Sequence, residues 1–87
     1  MIEIGYQHIN TVLEYLDQSF GEFTKQQTGR IIAHGAVSKA KWIGRGWIVW
    51  TDHFRTPDHG TVIKAYLSFS DSKNETVFRL KHPEVIV

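Results

Sequence analysis

The stretch K-A-K-W-I-G-R-G-W-I-V-W-T-D-H-F, residues 39–54, holds all three tryptophans of the chain, two lysines, an arginine and two glycines. β-Branched and aromatic residues flank a Gly-Arg-Gly punctuation, the pattern of two strands joined by a tight hairpin. Side chains alternate between the two faces of a strand, so the turn decides which indoles share a face. A two-residue loop, Gly44-Arg45 or Arg45-Gly46, groups Trp42 with Trp47 and Val49. It sets Lys39, Lys41 and Ile43 with Ile48 and Trp50 on the other side. A three-residue loop over 44–46, with Gly46 in the left-handed region, groups Ala40 and Trp42 with Ile48 and Trp50. It sets Lys39, Lys41 and Ile43 beside Trp47 and Val49. The three-residue loop is the expected one, because it leaves one cleanly apolar face. In either register Lys39 and Lys41 stand beside one tryptophan, Trp47 or Trp50.

Before the hairpin, Ile9, Val12, Leu13, Leu16 and Phe20 recur at helical spacing and Gly21 closes the pattern. This predicts an amphipathic helix over 7–20. Residues 22–29 are polar and read as a loop, and 30–37 (R-I-I-A-H-G-A-V) as one strand with a bulge at Gly35. After the hairpin strands, 38–43 and 47–54, the turn formers of 55–60 predict a loop. Residues 61–70 alternate as a strand, Ile63, Ala65, Leu67 and Phe69 inward and Val62, Lys64, Tyr66 and Ser68 outward. Residues 71–75 read as a turn. Residues 76–81 read as a returning strand, with Phe78 and Leu80 inward and Arg79 and Lys81 outward. Pro83 interrupts, and 84–87 reads as a short edge strand or an extended tail. The order predicts a single α+β domain, 1–87. Its N-terminal amphipathic helix packs on a four- to five-stranded antiparallel meander, with a strongly curled, half-closed β-barrel carrying one helix as the alternative.

Composition narrows the chemistry. A hydrophobic fraction of 41% and a charged fraction of 22% are those of a folded globular chain rather than a disordered one. Without cysteine there is no disulfide framework, thiolate zinc site or cysteine nucleophile, which fits a reducing cytoplasm of a microbial cell or infected host. No apolar run reaches membrane-spanning length and the start M-I-E-I-G has no signal-peptide pattern, so no membrane partner is expected. Charge is uneven along the chain. Glu3, Glu14, Asp17 and Glu22 oppose Lys25 in residues 1–29, whereas Arg30, Lys39, Lys41, Arg45 and Arg55 oppose Asp52 in residues 30–55.

Histidines are candidates for chemistry. His53 and His59, beside Asp52 and Asp58, are the weak candidates for a metal site, but their spacing matches no ligand motif and no metal is expected. His34 reads as a hydrogen-bonded strand residue. Arg30, His34, Arg45, His53, Arg79 and Lys81 supply the residue types of a general acid–base endoribonuclease. In size and element order the chain resembles the small toxin ribonucleases, which implies that activity as one alternative. No nucleophile elbow or phosphate-cradling glycine loop is present, and neither a catalytic set nor a cofactor is expected.

The basic–aromatic hairpin is the expected binding element: Lys39, Lys41, Trp42, Arg45, Trp47 and Trp50. Indole and guanidinium groups dominate protein contacts, and lysines beside an indole also suit nucleic acid. In so small a domain at least two of the three tryptophans are expected in the core. Lys64, Tyr66 and Ser68, with Arg79 and Lys81, form a second candidate surface. The expectation is a small nonenzymatic binding protein, an inhibitor or regulator of the kind phages and plasmids carry, acting on a larger partner. A protein partner is favoured over nucleic acid, and a homodimer is expected through a sheet edge, with the 61–70 strand ungated.

Overall fold

The computed structural model describes residues 1–32, 35–58 and 60–87, with backbone alone at 28–32, 35–38 and 54–56. His34 and His59 therefore lie outside the described residues. Ile9–Phe20 forms helix α1, which buries Ile9, Val12, Leu13 and Leu16 along the stripe that its spacing dictates. A 3-10 turn, Tyr6–His8, leads into it, so the first helical amides find carbonyls of that turn rather than a side-chain cap. Gly21, at φ 91, ends it, its N–H donating to the Asp17 carbonyl at 2.9 Å.

Five strands form one open antiparallel sheet: β1 (Ile2–Ile4), β2 (Thr24–Ile32), β3 (Gly35–Gly44), β4 (Trp47–Thr56) and β5 (Gly60–Phe69). Their order is β1-β5-β4-β3-β2, so β2 to β5 are a meander and β1 returns beside β5. The α+β architecture is as the sequence predicts, and the sheet does not close into a barrel. The 22–29 loop and the single 30–37 strand are corrected. Residues 24–32 are one strand and 35–44 the next, with Arg30 opposite Val37 and Ile32 opposite Gly35. Lys25, Gln26 and Gln27 give β2 a polar sequence because it is an outer strand of the sheet, where polar side chains discourage further pairing.

The hairpin adopts the two-residue turn Arg45-Gly46, not the favoured three-residue loop. Gly44 pairs with Trp47, Ile43 with Ile48, Trp42 with Val49 and Lys41 with Trp50. The flanking glycines serve different ends. Gly46 supplies φ 78, whereas Gly44 supplies space: a Cβ there would collide with the Trp47 indole lying across it.

The expected strand over 76–81 is instead helix α2, Ser72–Lys81. Asp71 caps it, accepting from the Lys73 N–H at 2.9 Å, and Glu75 faces Arg79 one turn on at 3.7 Å. Of the alternating pair that suggested a strand, Phe78 is fully buried and Leu80 is 78% exposed. The tail forms a 3-10 turn, Pro83–Val85, then a single bridge from Ile86 to Ile4, with the Val87 N–H donating to Glu3 at 3.0 Å. Glu84's own backbone N–H and then the His82 ring hold its carboxyl below the usual range. β5 therefore lies between β1 and β4 and is not an edge.

Both helices cover the same face of the sheet. Phe78 of α2 stacks at a tilt on Tyr15 of α1, 5.6 Å between centroids, and on Phe69 of β5, 5.8 Å. With Ile2, Ile4, Trp42, Trp47, Val49, Ala65, Leu67 and Val85 they close one hydrophobic cluster. Among the described residues no helix is long and apolar enough to cross a membrane.

Gly44→Ala should destabilise the fold by about 1–3 kcal/mol, because the added methyl displaces a packed indole. Gly46→Ala meets no neighbour and costs only the left-handed backbone, about 1–2 kcal/mol. Urea unfolding followed by fluorescence should place Gly44→Ala lowest, with a shifted native spectrum in that variant alone.

Candidate interaction surface on the open face of the sheet

The turn at Arg45-Gly46 sorts the side chains of β3 and β4. Trp42, 9% exposed, and Trp47, 3% exposed, point into the core, and Trp50 points to the other face, where it is half-buried. Trp42 and Trp47 are thus core residues and not surface contacts, while Lys39, Lys41 and Trp50 share the uncovered face. Lys25 of β2 covers Trp42 from the helix side, its Nζ 5.4 Å from the ring centroid. Arg45 is exposed at the hairpin tip, about 13 Å along the strand from Lys41 at ~3.3 Å per residue.

One row of partners crosses all five strands on this face: Glu3, Tyr66, Trp50, Lys41 and Gln26, each opposite the next. At its centre Trp50 and Tyr66 stack, 5.5 Å between centroids with planes 27° apart. A second row, Thr24, Ile43, Ile48 and Ser68, lies toward the turn. Asp52 opposite Lys64, and Lys39, lie on the other side. Lys64, Tyr66 and Ser68 thus join the hairpin lysines on one face, but without Arg79 and Lys81, which belong to α2. Glu3 is the residue of this face that neither candidate surface included; Tyr66 belongs to the second candidate surface, on the outward alternation of 62–68.

β3 and β4 part company beyond this row. β2 and β3 remain paired to Ile32 opposite Gly35, and β4 and β5 to Thr56 opposite Gly60, but the β3–β4 ladder ends at Lys41 opposite Trp50. At the next position the Thr51 hydroxyl accepts from the Ala40 N–H at 3.2 Å and donates to the Ala40 carbonyl at 3.5 Å. A cavity opens on each face here. The outward one, about 270 Å3, is lined by Lys39, Lys41, Trp50 and Asp52. The inward one, about 500 Å3, lies beyond the start of α1 and is lined by Lys25, Gln27, Trp42 and His53. Ala40 and Thr51 line both.

The other sequence candidates do not converge. Asp52 and His53 are neighbours on a strand and face opposite sides, and among the described residues no three His, Asp or Glu groups cluster as metal ligands do. Of the ribonuclease set, His53 lies on the helix face, Arg45 at the turn, and Arg79 and Lys81 on α2; His34 and the Arg30 side chain are outside the described residues.

Trp50→Phe should remove most of the acrylamide-quenchable tryptophan emission, since the other two indoles are buried. Thr51→Val keeps the shape of the strand residue but strands the Ala40 N–H, and should cost about 1–3 kcal/mol in chemical denaturation. Compared with known proteins, the chain matches no family model, no curated protein and no solved structure.

Proposed function

We propose that this chain is a small nonenzymatic binding protein of the inhibitor or regulator type, and that it engages a protein partner through the open face of its sheet. The observation that carries the reading is the Trp50–Tyr66 stack at the centre of a face that neither helix covers, flanked by Lys41 and Lys39. Aromatic anchors ringed by polar groups are the energetic centres of protein contacts. Their mutual stacking limits the side-chain freedom that association would otherwise remove.

The same geometry favours protein over nucleic acid. A base stacks on an open ring face, and here the indole and phenol rings turn faces toward each other, 27° from parallel. A cysteine-free chain suits action in a reducing cytoplasm. Of the two outer strands β1 is bridged by Ile86, so a homodimer through a sheet edge would have to form on β2 despite its polar side chains.

The test is capture from lysate of the source cell, with and without nuclease, by the native chain and by the Lys39→Glu/Lys41→Glu variant. The native chain should retain a protein after nuclease treatment, and the variant should lose it while its unfolding free energy stays within about 0.5 kcal/mol. Loss of all binding on nuclease treatment, with steep salt dependence, would instead make nucleic acid the target.

A further inference from the structure

We propose that the fork between β3 and β4 is a strand-accepting slot, and that the partner enters it as an extended acidic peptide segment. The proposal rests on the reading of the open face as a protein-contact surface and adds the form and charge of what binds there.

The ladder carries the first part. In an antiparallel pair, residues exchange backbone hydrogen bonds at every second position. Gly44 with Trp47 and Trp42 with Val49 are such positions next to a two-residue turn, and Ala40 with Thr51 would be the third. There the Thr51 hydroxyl stands in for the ladder, satisfying both the N–H and the carbonyl of Ala40. By the same alternation, the backbone groups of Ser38 on β3 and His53 on β4 face the gap. Each strand keeps its partner on the far side, so two ladder edges confront each other, with a cavity on either face of the sheet beside them. An extended peptide brings donors and acceptors alternately to both of its edges and would complete both ladders. A sugar-phosphate backbone has no such alternation.

Charge carries the second part. Side chains of an inserted strand point alternately outward and inward. Outward ones meet Lys39 and Lys41 at the first cavity, where Asp52 is the lone carboxylate among the described residues. Inward ones meet Lys25 at the second, where the described lining holds no carboxylate. Both mouths therefore select acidic residues.

The experiment uses the isotopically labelled full chain and an acetylated decapeptide alternating Glu and Thr at millimolar concentration, read by amide hydrogen exchange. Exchange at Ser38 and His53 should slow at least tenfold. A peptide N-methylated at alternate residues, with the same charge, should bind at least tenfold more weakly, and a Lys-Thr peptide should not protect these amides. Equal binding by the N-methylated peptide, or no protection by the Glu-Thr peptide, overturns the slot. So does protection of the same amides in a peptide-free dimer, or by an oligonucleotide of equal charge. The open-face reading fails separately: if the captured partner is indifferent to Lys39→Glu/Lys41→Glu, that reading falls whatever the peptide does. If the variant loses the partner but the peptide leaves the amides unprotected, the slot alone falls.

Discussion

The position of one turn governs the rest of this molecule. Because a strand presents its side chains with a period of two, lengthening the Arg45-Gly46 reversal by a single residue would invert one hairpin strand relative to the other. The core could then not hold Trp42, Trp47 and Val49 together. The turn is fixed from two sides: Gly46 accepts a backbone conformation that other residues resist, and the Trp47 indole needs the bare backbone of Gly44 beneath it. A left-handed Gly46 serves a loop of either length, so it is the packing of Trp47 over Gly44 that selects the register. Everything on the open face follows from it, since Trp50 can face outward only if Trp47 and Val49 face inward.

The two faces solve different problems. The covered one concentrates aromatic and aliphatic burial, with Phe78 in contact with both Tyr15 and Phe69 and β1 locked between β5 and the C-terminal bridge. A domain of this size has little apolar area to spare, and placing two indoles in the core is how it fills the space between sheet and helix. The uncovered face keeps the third indole, steadied by Tyr66 rather than by a helix. Where the helix stops short, the sheet itself divides, and a threonine hydroxyl takes the place of the missing ladder bond.

Much of this is written in local patterns. Helix α1 is legible because Ile9, Val12, Leu13 and Leu16 repeat at its own period, and β5 because its apolar residues alternate. The hairpin is legible as a hairpin, but its register turns on a tertiary contact, Trp47 over Gly44, that no local pattern encodes. Strand β2 hides because an edge strand can be as polar as a loop. Helix α2 hides because its cap, Asp71, sits among residues that also make turns, while Phe78 and Leu80 mimic strand alternation. β1 is too short to show a period. Of the candidate site, Lys39 and Lys41 are legible as one face, but the favoured register sets them beside Trp47, and only the observed turn brings Trp50 there. Trp42 and Trp47 were grouped with them because composition reveals an indole but not the face it takes, and Tyr66 comes beside Trp50 only through the pairing of β4 with β5.

The strict sorting of side chains by face has an evolutionary corollary. Residues that hold the chain folded and residues that would meet a partner alternate along the same strands yet share few contacts. Changes at Lys41, Trp50 or Tyr66 alter the open face without removing a side chain from the aliphatic interior on the other side. Such a scaffold can be re-lettered on one side of its sheet while the other side is left untouched.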